Sequence, residues 1–233
     1  MTERRILKQG KNCLTIGKVT QTGLLIDGRD YFRAFYHAAT AARRYILLSG
    51  WQFDSNVTLL RGEDAQGAPG DTRLLPFLNA LCESKPELRI YILAWDFSMI
   101  YGLDREWFQE WYFNWTTSER LRFCFDRCSS FDASHHQKFV VIDGMFAFAG
   151  GLDLCAARWD DRDHRIQHPL RVEGDVPYRS FHDLQSYHSG PLALELAKLF
   201  KGRWKVACCE ELELPSKPDG ADIEIEPTLT LAA

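Results

Sequence analysis

The stretch Ser134-His135-His136-Gln137-Lys138-Phe139-Val140-Val141-Ile142-Asp143 decides the reading of this chain. Its second half is a continuous apolar run, the mark of a strand buried on both faces. Its first half carries the chemistry. His136 and Lys138 stand two residues apart, so on an extended chain they project from the same face. A fixed cation beside an imidazole suits a phosphate: the ammonium neutralises the oxyanions while the ring attacks phosphorus or delivers a proton. Asp143-Gly144 follows the run, and a second apolar run covers Met145 to Ala149. An Asp-Gly pair between two such runs predicts a hairpin. Gly150-Gly151 closes that second run, and bare glycines let other groups approach the backbone closely.

Outward from this hairpin, strand and helix signals alternate. Residues 29–45 read as a helix, with Asp30 near its start and Phe35, Ala38, Ala39, Ala42 and Tyr45 on one face. Tyr45–Ser49 is a buried strand ending at Gly50-Trp51. The Gly-, Asp- and Pro-rich segment from Arg61 to Thr72 is a surface loop. Leu74, Leu75, Leu78, Leu81 and Cys82 repeat at helical spacing, and Leu88–Trp95 is another strand. Residues 104–115 carry Trp107, Phe108, Trp111, Tyr112 and Trp115, a broad aromatic face suited to core packing or to a lipid-facing lid. Leu121–Phe125 and Asp183–His188 are further strand candidates, and residues 157–180 are polar and irregular. Gly190-Pro191 opens a last helix with Leu192, Leu196, Leu199, Phe200 and Trp204 along one face. This alternation predicts an α/β fold, an α-β-α sandwich around a mixed central sheet. Residues 1–209 form one lobe. Residues 210–233 read as an acidic linker and the start of a second lobe.

Composition sets the outer bounds. The 233 residues hold 28 Lys and Arg against 32 Asp and Glu, a net charge of −4, which disfavours a chain that coats nucleic acid. An apolar fraction of 45% is that of an ordinary globular domain. No run approaches the length of a membrane span, and Met1–Cys13 lacks a signal-peptide core, so a cytoplasmic chain is expected. The seven cysteines, at 13, 82, 124, 128, 155, 208 and 209, include no C-x-x-C pair. They are expected as reduced core residues. His164 and His168 have ligand-like spacing but lie in the polar loop, and no metal is assigned to them.

The pattern His136-x-Lys138-x4-Asp143-x6-Gly150-Gly151 resembles the signature of the phospholipase D superfamily. Gly150-Gly151-Leu152-Asp153, Arg158-Trp159-Asp160, His164-Arg165 and Phe181-His182-Asp183 ahead of Gly190-Pro191 resemble its phosphatidylcholine-cleaving branch. So do Gly50-Trp51 and Trp95-Asp96 after their strands, and the likeness spans about residues 25–206. The resemblance implies hydrolysis of a glycerophospholipid headgroup to phosphatidic acid through a phosphohistidine, with no cofactor and no metal. His136 would be the nucleophile or the matching acid, and Lys138 would bind the phosphate. Asp183 would orient the imidazole through its other nitrogen. Asp143 belongs to the motif and is expected to brace the site. Gly150, Gly151 and Asp153 would face substrate, although a carboxylate at 153 repels a phosphodiester unless it is protonated or turned away. Arg158, Arg162 and Arg165 are expected to pair with Asp160, Asp161 and Asp163 more than to bind a headgroup.

In-line displacement needs groups on both sides of phosphorus. Of the seven histidines only His136 is followed by a lysine two residues on. The expected partners are therefore a second lobe or a homodimer mate, and a phospholipid at a membrane surface where the chain works peripherally. No nucleic-acid partner is expected. Two alternatives stand beside this reading: a dimeric single-motif nuclease-like phosphodiesterase, and an inactive truncated lobe.

Overall fold

The computed structural model describes residues 6–95, 109–127, 136–216, 218, 223–225 and 229–230. One sheet organises them. Its strands are β1 (Gln21–Ile26), β2 (Tyr45–Gly50), β3 (Arg89–Trp95), β4 (Leu121–Asp126), β5 (Lys138–Ile142), β6 (Phe146–Gly150), β9 (Leu184–Ser189) and β10 (Leu229–Thr230), in the spatial order β10-β1-β9-β6-β5-β2-β3-β4. A two-residue hairpin, β7 (Val172–Glu173) with β8 (Val176–Pro177), stands apart. The helices are α1 (Asp27–Ala41), α2 (Leu74–Ser84), α3 (Gln109–Trp115) and α4 (Leu192–Cys208). The β2–β3 and β3–β4 pairs are parallel and the other pairs antiparallel, so the sheet is mixed.

Strand alternation builds two cores. Ile46, Leu48, Ile90, Ile92, Val140 and Ile142 face the side covered by Phe32, Phe35 and Ala39 of α1, Leu74 and Leu78 of α2, and Phe113 of α3. Leu47, Tyr91, Leu93, Phe139 and Val141 face the other side, where Ala193, Ala197, Phe200 and Trp204 of α4 cover them. With helices on both faces, the central strands carry no polar side, and every residue of β2 and β5 is buried. This is the expected α-β-α sandwich.

The Asp143-Gly144 hairpin forms as predicted. Both residues have positive φ, 52° and 66°, and Met145 N–H donates to the Ile142 carbonyl at 3.0 Å. Two positive φ values are what a tight turn of this hand needs.

Four expectations are corrected. β1 was not expected: its burial alternates weakly, with only Gly23 and Leu25 fully inside. The tail after residue 209 does not simply lead away from this lobe. Leu212 and Ile225 are buried in its two cores, and Leu229 and Thr230 pair with Leu24 and Gly23 at its sheet edge. In the aromatic segment, residues 104–108 lie outside the described residues. Within α3, Phe113 is buried, whereas Tyr112 and Trp115 are exposed. Last, Cys124 and Cys208 are joined as a disulfide, with Cα atoms 6.4 Å apart. β4 and the end of α4 meet only in the folded chain, so their sequence separation of 84 hid the pair.

Candidate active site

The parallel strands β2, β3 and β4 end at the same edge of the sheet where β5 begins, because β5 runs antiparallel to β2 with Ser49 opposite Phe139. β6 ends there too, with Gly150 opposite Lys138. This register gathers Trp51, Trp95, His136, Lys138, Gly150 and Gly151 from four segments at one edge.

Lys138 is the buried centre of the cluster. Its Nζ lies 3.2 Å from Nε2 of His136 and 3.2 Å from Oδ2 of Asp153. An ammonium has no lone pair and only donates. In this contact Nε2 of His136 can only be the acceptor. His136 itself is exposed. Its ring meets the indole of Trp51 edge to face at 6.0 Å, and Trp51 stacks on Trp95 at 5.9 Å. These two indoles wall the imidazole on one side. Both positions are quoted in the family resemblance but carry no role from sequence, because ring stacking across separate strands has no sequence signal.

Asp153 is turned away from solvent. Its Oδ1 accepts the Trp51 N–H at 2.8 Å, and its carboxylate is buried against Lys138. Burial pushes its carboxyl pKa up, against the pull of Lys138 and of the Trp51 amide. The expected substrate contact is thus replaced by an internal role: Asp153 holds the lysine and the loop after β2.

Two further assignments change. Asp143 does not reach the edge that holds His136. It lies just past the far end of β5, about 17 Å from Lys138 by strand rise. Its carboxylate accepts the N–H groups of Arg43, Arg44 and Tyr45, each at 2.8 Å, and so ties the α1–β2 connection to the hairpin. Asp183 makes no hydrogen bond to His136. It accepts the Leu184 N–H at 2.7 Å. A Cβ built on Gly151 would lie 2.3 Å from its carboxylate oxygens. The cause is register: Asp183 enters β9, and β6 separates β9 from β5. A Cβ on Gly150 would meet the Leu184 carbonyl at 2.4 Å. The glycine pair therefore admits β9 against β6, a reason different from the substrate approach expected of it.

The arginines of the polar segment also sort themselves. Arg165 pairs with Asp163 at 2.7 Å and Arg162 with Asp30 at 3.3 Å, while Arg158 lies over the Phe181 ring at 4.6 Å. Asp160 instead pairs with the buried Arg171 at 2.9 Å. His168 bonds Asp161 at 3.0 Å, and His164 turns toward Asp27 and His182.

Comparison with known proteins gives the family and the fold. A family model described as Phospholipase D matches residues 38–229. Phospholipase D C of Dictyostelium discoideum is 31% identical over 160 residues, which cover 63% of this chain and 9% of that protein. Phospholipase D alpha 1 of Oryza sativa subsp. japonica is 25% identical across 88% of this chain and 31% of that one. Among solved structures, NucT from Helicobacter pylori superimposes with a TM-score of 0.50 at 9% identity, covering 80% of this chain and 97% of that one. The phosphatidylserine synthase of Haemophilus influenzae Rd KW20 also gives 0.50, at 13% identity, over 78% of this chain and 37% of that one. The chain spans between 9% and 31% of the length of the curated relatives it matches.

Proposed function

Starting from the fact that the chain belongs to the phospholipase D family, whose chemistry is that of a phosphodiesterase, we propose that it carries one half of a site that cleaves glycerophospholipid headgroups. The observation that carries the reading is the Lys138-to-His136 contact at 3.2 Å, which sets the Nε2 of an exposed imidazole directly beside a buried cation. In the proposed step Nε2 of His136 attacks phosphorus while the phosphorus–oxygen bond to one alcohol breaks. A histidine from a second lobe or a second copy gives that alkoxide its proton. Water then displaces His136 from phosphorus and yields its proton to the same partner histidine. An alcohol in place of water gives transphosphatidylation. Lys138 stabilises the equatorial oxygens, and the incoming phosphate competes with Asp153 for its charge. The Trp51–Trp95 wall supplies an apolar face for the part of the lipid next to the phosphate. Among the described residues no helix is long and apolar enough to cross a membrane, so in this reading the lipid is met at a surface.

The test is light scattering on the purified chain, with phosphatidylcholine hydrolysis followed across the same fractions. Activity in a dimer fraction, abolished by His136→Ala, supports two copies of His136 around one phosphate. Activity only after addition of a second lobe supports the two-lobe version. Unchanged turnover in His136→Ala overturns the mechanism. No activity in any assembly favours the inactive-lobe alternative.

A further inference from the structure

A second cluster of chemistry-bearing side chains lies on the same edge of the sheet, outside the His136 site. Asp27 begins α1, His164 comes from the polar segment, and His182 precedes β9. One donor atom from each lies within 4.8 Å of the other two. His182 Nδ1 is 2.7 Å from Oδ1 of Asp27, and His164 Nε2 is 3.2 Å from Oδ2. The two imidazoles stand nearly perpendicular, at 86°, with centroids 5.2 Å apart. Both rings therefore aim a nitrogen at one carboxylate from different directions.

That carboxylate is unusual in its surroundings. The Asp27 side chain is 1% exposed. Its Oδ1 is served by His182 and by the Asp183 N–H at 3.3 Å, but its buried Oδ2 has no aligned hydrogen bond, only the His164 Nε2 at 3.2 Å. A buried carboxylate oxygen without an aligned donor is costly, so the position favours a cation between it and the two rings. The far nitrogen of His164 is held in turn: Nδ1 is 3.1 Å from Oδ2 of Asp160. Asp160 is itself fixed by Arg171 at 2.9 Å and by the Phe181 N–H at 2.9 Å. A carboxylate behind the imidazole is the usual support of a metal-ligating histidine, since it sets the tautomer and leaves Nε2 free to coordinate.

We propose that Asp27, His164 and His182 bind a divalent transition-metal ion, with zinc the best match to two imidazoles and one carboxylate. Three protein donors leave one tetrahedral position for water. The ion fills the vacant valence of Oδ2 and draws both rings inward to bonding distance. Its role is to join three segments that are remote in sequence: the β1–α1 junction, the polar segment and the entry to β9. Asp183 and Gly151 stand next to that junction, so the ion also stiffens the wall of the His136 site. The ion takes no part in the phosphoryl step, and β9 and β5 are about 10 Å apart across β6.

The experiment uses the tag-free full chain, stripped with chelator and titrated with Co2+ and with Zn2+. One equivalent of Co2+ should give the intense visible absorption of a low-coordinate site, and Zn2+ should displace it. His182→Ala, at an exposed position, keeps the fold and should weaken Zn2+ binding by more than about tenfold. Asp27→Asn should do the same, and His37→Ala, at an exposed position on α1, should change nothing. Chelator should lower the Tm of the zinc-loaded chain and leave that of His182→Ala where it was. A folded chain that leaves Co2+ with the spectrum of the free aqua ion overturns the proposal. So does Zn2+ affinity in His182→Ala equal to that of the unaltered chain. None of these readouts depends on phospholipid hydrolysis, so the site stands or falls apart from the proposed activity.

Discussion

At the scale of single residues, two charged side chains of one motif do different work at the two ends of one strand. Lys138 at the start of β5 is buried between the imidazole of the exposed His136 and the buried carboxylate of Asp153. Asp143 just beyond its end is only 2% exposed, and its carboxylate is committed to three backbone amides. Replacing it by Ala leaves those donors without an acceptor, at roughly 1–3 kcal/mol for a single unsatisfied buried group and more when several are lost. Asp143→Ala should therefore lower the denaturant midpoint by the equivalent of about 3 kcal/mol. The folded fraction should keep its turnover in any active assembly. Chemical denaturation and an assay on the same preparation test both halves. Loss of turnover with unchanged stability would return Asp143 to the reaction.

At the scale of elements, the β1–β9 pair is where polar side chains enter the sheet. His188 of β9 bonds the Thr22 hydroxyl through Nδ1 at 2.9 Å and the Ser186 hydroxyl through Nε2 at 3.0 Å. Burial pushes its pKa below the ordinary histidine value. The folded chain thus resists a proton that the unfolded chain accepts at about pH 6.5. The unfolded state binds more protons, so stability must rise with pH through that range and fall as pH drops below it. His188→Gln keeps the hydrogen-bonding capacity and removes the titration. Denaturant midpoints at about pH 5.5 and 7.5 should differ less in this variant than in the unaltered chain, by the share His188 contributes to the slope. An identical pH slope in both chains would locate the titration elsewhere. The polar segment 157–180 is held by the same kind of side-chain work. Buried Arg61 donates to the Leu170 and Val172 carbonyls, each at 2.7 Å, and buried Arg171 to Tyr178 and Ile166, each at 3.0 Å. Irregular backbone is tolerated in the interior because two guanidiniums supply the missing donors.

At the scale of the whole molecule, the sheet keeps its chemistry at one edge and its fastenings at several others. The Cys124–Cys208 disulfide closes a loop with a sequence separation of 84, tying the outermost parallel strand to α4. A loop of that length removes roughly 4 kcal/mol of chain entropy from the unfolded state. Reduction should lower the stability of the chain by up to about that amount. Equal unfolding midpoints with and without reductant, under conditions where the thiols are shown to be intact in the oxidised sample, would argue that the two sulfurs do not bond in solution. The same scale limits the chemistry. One His136 presents one face to phosphorus, so the proposed reaction belongs to an assembly and not to one folded lobe.

Much of this was legible in the amino-acid order alone. The hydrophobic runs of β2, β3, β5 and β6 are long and apolar because those strands are covered on both faces, and such runs are visible without any partner. The Asp143-Gly144 turn is local, and so is the His136-Lys138 pair, since a two-residue offset on a strand sets a common face by itself. These features determined the α/β sandwich and the phosphate chemistry expected of it. Other features depend on which strands lie side by side. The placement of Asp183 against Gly151, the closure of Asp153 on Lys138, the Trp51–Trp95 stack, the Cys124–Cys208 bond and the meeting of Asp27, His164 and His182 all join residues remote in sequence. Strand order and register bring them together, and neither is encoded in any single segment. Only the tertiary structure decided them.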